Sequence, residues 1–173
     1  NSSGKLNTFK VFESSIMHPI LQNKYSNIKT YKGVGVDDPT ATIRFSLSPL
    51  GFHALSSSGT RSTLYIEPYS KSDDSIYIIF EKESVYGYES DFECFTEQNI
   101  PSSNEQRRSS FVNGQGDIDD QKLRTYRLAL SCTGEYAQFF AGSGTVENQK
   151  ANVLAAMITS INRVNDIYER DFG

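Results

Sequence analysis

Over residues 146–169 apolar side chains return at three- and four-residue steps, through Val153, Leu154, Met157, Ile158, Ile161, Val164 and Tyr168. That spacing follows the turn of an α-helix and defines a long amphipathic helix with a wide apolar stripe. Glu147 in its first turn and Arg170 near its end complement the helix dipole. A stripe this wide needs several strands beneath it, because a single strand and a helix cannot cover each other's apolar faces. Only one alternating segment lies just ahead of the helix, residues 124–131, with Tyr126, Leu128 and Leu130 set against Thr125, Arg127 and Ser131. Residues 123–173 are therefore expected to form an incomplete unit, one strand and one helix that await further polypeptide.

The front of the chain follows a different period. Ala41, Ile43, Phe45 and Leu47 alternate with Thr42, Arg44 and Ser46, as in a strand with one core face and one wet face. Ser48, Pro49, Leu50 and Gly51 supply turn chemistry, so residues 51–55 should return as an antiparallel partner. Residues 63–67 and 75–81 alternate in the same way, and residues 6–12 and 28–31 read as earlier strands. Short strands at close spacing predict a small meander or sandwich, with a brief helix over residues 19–25 that starts at Pro19. Between residues 98 and 122 the apolar pattern fails, and Pro101, Gly114, Gly116, many Ser and Asn, and the pair Arg107 and Arg108 take its place. This stretch reads as an exposed linker and a site for proteolytic cutting. The expected organisation is an α+β chain: a β-rich unit over 1–97, a linker over 98–122 and the incomplete unit over 123–173.

Bulk properties set limits. The 173 residues, 37% of them hydrophobic and 12% aromatic, suffice for a packed core. A net charge of −4, with Lys and Arg scattered, argues against a nucleic-acid partner. No apolar run approaches the roughly 20 residues that cross a bilayer. The chain opens at Asn1 without a charged and apolar leader, so a signal or earlier propeptide portion is expected to have been removed. Cys94 and Cys132 are too few for a disulfide framework, although a single bridge between them is open. The richness in Ser, Thr, Asn, Gly and Tyr fits an exported β-rich protein.

The segment from Leu123-Arg-Thr-Tyr-Arg-Leu-Ala-Leu through Thr133-Gly-Glu-Tyr-Ala-Gln-Phe-Phe to Arg163-Val-Asn-Asp-Ile-Tyr-Glu-Arg-Asp-Phe172 resembles the opening of a catalytic domain of the secreted bacterial reprolysin-like metzincins. Upstream, Phe9-Lys-Val-Phe-Glu13, Asp37-Asp-Pro-Thr-Ala-Thr-Ile-Arg44 and Tyr65-Ile-Glu-Pro-Tyr-Ser70 are similar to the propeptides of the same proteases. The resemblance implies a secreted zinc metalloendopeptidase zymogen that acts on peptides or proteins. In it this chain holds the inhibitory propeptide and the first strand and helix of the catalytic domain, whose remainder is the expected partner. The family's His-Glu-x-x-His helix, with two zinc ligands one turn apart and Glu as general base, is not among these residues. The chain alone is expected to be inactive, with zinc held by residues outside it. His18 and His53 lack acidic or Cys neighbours at ligand spacing and read as surface or packing residues.

Under the same resemblance Cys94, in Asp91-Phe-Glu-Cys-Phe-Thr-Glu97, is the expected latch. A thiolate in the open position of a zinc held by three His displaces the water that would attack the peptide. A disulfide with Cys132 and a buried free thiol are the alternatives. Arg107, Arg108 and Arg124 are candidate processing positions, with plain solubility as the competing explanation. The pairs Asp37 and Asp38, Asp73 and Asp74, and Asp119 and Asp120 could bind calcium, but they lack the graded spacing of an EF-hand loop and read mainly as solvated turns. Glu135 fits an early helix start better than a catalytic role. The competing function is a non-enzymatic secreted module, a small β-sandwich with a C-terminal helix that binds protein or glycan through Tyr-rich loops.

Overall fold

The computed structural model describes residues 4, 6–71, 73–85 and 125–172, apart from the side chains of residues 74 and 172. Cys94, Arg107, Arg108, Arg124, the expected linker and the Asp119 and Asp120 pair lie outside the described residues. The order of elements is β1 (Phe9–Glu13), α1 (Pro19–Lys24), β2 (Lys29–Gly35), β3 (Thr42–Ser48), β4 (Gly51–Ser57), β5 (Leu64–Ser70), β6 (Asp73–Glu81), a 3-10 turn (Lys82–Val85), α2 (Gly134–Ala141) and α3 (Val146–Phe172). The class is α+β. No described helix is long and apolar enough to cross a membrane.

The six strands form one antiparallel sheet in chain order, a meander rather than a sandwich. The tight β3–β4 turn follows from its residues. The Ser48 hydroxyl accepts a hydrogen bond from the Leu50 amide at 3.2 Å, and Gly51 takes φ +95°, a region that side chains with a Cβ avoid. α1 begins where expected: the His18 ring nitrogen Nδ1 accepts from the Ile20 amide at 3.4 Å and Pro19 occupies the first turn. Thr133 caps α2 through the Tyr136 amide, and Thr145 caps α3 through the Asn148 amide. Gly142, at φ +67°, lets the chain turn between the two helices.

Helix α3 lies across the sheet on β3 and β4, and the described residues within 4–85 and 129–172 form one compact unit. Segments expected in separate units thus pack together, and the sheet beneath the helix comes from the front of this same chain. At the N-terminal end of α3 the contact is apolar: Ala155 and Ile158 meet Met17 and Ile28, with Ile16, Leu21, Tyr25, Leu50 and Leu154 around them. Ile28 is completely buried.

Two expectations fail here. Residues 125–133 form no strand, and Tyr126 and Leu128 are 83% and 65% exposed. The alternation is present, but no described strand pairs with it, and a strand without a ladder leaves its backbone groups to water. The wet face of β3 is also misassigned. Thr42, Arg44 and Ser46 face α3, and Arg44 and Ser46 are buried, whereas Leu47 on the expected core face is exposed.

Candidate functional site: the seam between helix and sheet

The C-terminal half of α3 meets the sheet through polar side chains. Thr159, Asn162, Asp166 and Glu169 recur at helical spacing, so they line one face. β3 runs antiparallel to that stripe and answers it in register. The Ser46 and Thr159 hydroxyls lie 2.8 Å apart and share a hydrogen bond. Arg44 donates to Asn162 Oδ1 at 3.1 Å, and Asn162 Nδ2 donates to the Phe45 carbonyl at 3.0 Å. Thr42 donates to one oxygen of Asp166 at 3.1 Å, and Ser57 on β4 donates to the other at 2.9 Å. Glu169 pairs with Arg44 and, at 3.7 Å, with Lys32.

Asn162 is 1% exposed, Arg44 2% and Asp166 4%, so these bonds form away from water. Each buried polar group needs its partner there, since an unpaired one costs about 1–3 kcal/mol. The seam therefore fixes the register of the helix on the sheet, as a row of keyed contacts that an apolar stripe would not supply. At its flank, Arg163 donates to Glu67 Oε1 at 2.8 Å and lies over the Tyr65 ring. Half-buried His53 sits near this pair with its Nδ1 unsatisfied. Burial holds its imidazole below the ordinary value; Glu67 opposes that shift and the Arg163 guanidinium reinforces it.

With its polar stripe on the sheet, α3 leaves Val164, Ile167 and Tyr168 exposed. The sheet is reversed in the same sense. Tyr31, Phe45, Phe52 and Tyr77 form a ladder of ring contacts at 4.7, 5.3 and 6.0 Å on the face away from the helix. Around it Val11, Leu47 and Ile79 are exposed.

Other candidate residues take structural places. His18 caps α1. Asp38 accepts from the Thr40, Ser58 and Thr60 hydroxyls and the Thr40 amide, and these bonds, the Thr40 hydroxyl first, hold its carboxyl at about 2. Asp37 accepts from the Thr8 amide, and Asp73 from Ser75. These acidic residues tie loops, and among the described residues no group of three or more His, Cys, Asp or Glu converges as for a metal. Glu135 lies in the first turn of α2, its carboxyl held below the usual range by its own backbone amide and the Thr133 hydroxyl. Cys132 carries a free, exposed thiol. Sequence reasoning missed Thr159, Asn162 and Asp166; their signal was a second, polar stripe at helical spacing beside the apolar one.

No family model, curated protein or solved structure matches the chain.

Proposed function

We propose that the chain is the inhibitory front portion, with the first elements of the catalytic domain, of a secreted zinc metalloendopeptidase zymogen of the reprolysin-like metzincin class. One observation carries the reading. Residues 125–131 are patterned as a strand yet pair with no described strand, and beyond the short α2 follows α3, whose C-terminal half buries a polar stripe and exposes apolar residues. Both features suit elements whose remaining neighbours belong to further polypeptide, as in the resemblance noted at residues 123–173. In this reading the unpaired segment becomes an edge of the catalytic sheet, and Val164, Ile167 and Tyr168 pack under it.

In this reading zinc is held by three His ligands supplied from outside this chain. Cys94 would add a thiolate at the open position. Bound zinc would supply the activated water for peptide hydrolysis, and the thiolate would exclude that water until the propeptide leaves. Cutting within residues 98–122, with Arg107, Arg108 and Arg124 as the basic positions, would end latency. Replacing Cys94 with Ser in the full precursor should release peptidase activity before processing; latency unchanged from the parent would overturn the cysteine latch.

The open aromatic face of Tyr31, Phe45, Phe52 and Tyr77 favours a second reading, a secreted module that binds a protein or glycan without catalysis. That reading requires no peptidase activity in any longer form of the protein.

A further inference from the structure

We propose that the polar face of β3 and β4 is a separable docking surface for the C-terminal half of α3, a keyed and reversible clasp beside the apolar cluster at the helix's other end. The inference rests on the reading above for its purpose: in a zymogen the sheet and the helix fall on opposite sides of the processing segment, so their contact must be able to open.

The chemistry of the contact fits that demand. An apolar core cannot be parted in water without exposing surfaces that aggregate. Here most of what the parted faces would show is hydroxyl, amide, carboxylate and guanidinium: Thr42, Arg44, Ser46 and Ser57 on the sheet, and Thr159, Asn162 and Asp166 on the helix. Each can exchange its partner across the seam for water, so opening carries a modest cost. The closed state is nonetheless specific. A helix displaced by one turn one way would set Asn162 against Thr42 and carry Asp166 past the Thr42 and Ser57 hydroxyls; displaced the other way it would set Asp166 against Arg44 but part Thr159 from Ser46 and Asn162 from the Phe45 carbonyl. The surface thus selects a helix bearing hydroxyl, amide and carboxylate side chains at this spacing. The apolar cluster of Ala155, Ile158, Met17 and Ile28, with Leu154, Leu50 and their neighbours around it, anchors one end.

Arg44 is the centre of the lock. Its side chain is 3% exposed, and it bridges the buried Asn162 to Glu169, which is largely in water. Salt weakens the exposed Glu169 pairings and leaves the buried bonds largely unscreened. Dissociation should accordingly become easier, though not unconditional, as ionic strength rises.

The test uses the full chain with a site-specific protease sequence replacing residues 107–112, folded first and then cut. The expected result is that the two pieces co-sediment when concentrated, separate on dilution, separate more readily in 1 M salt, and reassociate when these conditions are reversed. Asp166→Ala should raise the dissociation constant at least tenfold, and the isosteric Thr159→Val should raise it several-fold in a chain that still folds. Val164→Ala, on the exposed side of α3, should change it less than twofold. Pieces that part only when urea also melts the sheet, or that precipitate on parting, would overturn the clasp. So would equal effects of Thr159→Val and Val164→Ala. None of these outcomes depends on zinc or on Cys94, so failure of the latency experiment and failure of the clasp are distinguishable.

Discussion

Asn162→Leu separates a keyed polar seam from an ordinary core. Leucine keeps most of the bulk and is the better helix former by a few tenths of a kcal/mol, so a helix seated on a greasy surface would gain from the change. In the seam it removes the Arg44 bond at 3.1 Å and the Phe45 carbonyl bond at 3.0 Å in a place that is 1% exposed. A buried bond to a charged group contributes about 1.5–3 kcal/mol and a neutral one about 1 kcal/mol. Glu169 still holds Arg44 from the outer side, which retains part of the first term. The net loss should be about 2–3 kcal/mol. Urea unfolding, followed by circular dichroism and by tyrosine emission from the ten Tyr in a chain without Trp, would read it. With a slope near 1–3 kcal/mol per molar urea, unchanged between variants, the midpoint should fall by about 1 M or more. Adding Arg44→Met to Asn162→Leu should recover part of the loss, because the buried guanidinium that lost its Asn162 acceptor is removed while its Glu169 pairing is given up. A single Asn162→Leu variant as stable as the parent would show that these bonds do not hold the helix on the sheet.

Ile158→Ala should cost about 2–4 kcal/mol by opening a cavity against Met17 and Ile28, read as a lower urea midpoint. His53 titrates at its ordinary value of 6.5 when unfolded and lower when folded, so stability should be complete above pH 6.5 and decline as pH falls toward the folded value. His53→Gln should flatten the urea midpoint between pH 7.5 and 5. Asp38, at about 2 when folded against 3.8 unfolded, should contribute stability above pH 3.8 that is lost as pH falls to 2. Asp38→Ala should remove that acid-sensitive portion and speed hydrogen exchange at the Thr40 amide. Gly35→Ala would place a Cβ 2.3 Å from the Asp38 carbonyl, so the β2–β3 connection should shift and the thermal midpoint drop; an unchanged midpoint would show that the loop yields freely.

The local period of the sequence was a sound guide to the elements. Alternation marked β3, β5 and β6, the turn residues 48–51 marked β4, and the recurrence of Leu154, Ile158 and Ile161 marked α3, because these patterns express backbone geometry. What alternation cannot say is which face meets which partner. Thr42, Arg44 and Ser46 read as solvated because polar residues usually are, yet they lie under the helix because Thr159, Asn162 and Asp166 offer them bonds. Tyr126, Leu128 and Leu130 show the converse. Their pattern is that of a strand, but a strand exists only where a neighbour pairs with it, and no described strand does. The candidate site was likewise only half legible, since each hydrogen bond joins residues more than a hundred positions apart.

In the proposed zymogen, residues 125–172 are one corner of a larger zinc-dependent fold. Reading the gene onward from the Gly173 codon tests this most directly. A His-Glu-x-x-His motif is expected within about one hundred further codons, with a third His shortly after it. A stop codon directly after Gly173, or a long open frame without that motif, would contradict it.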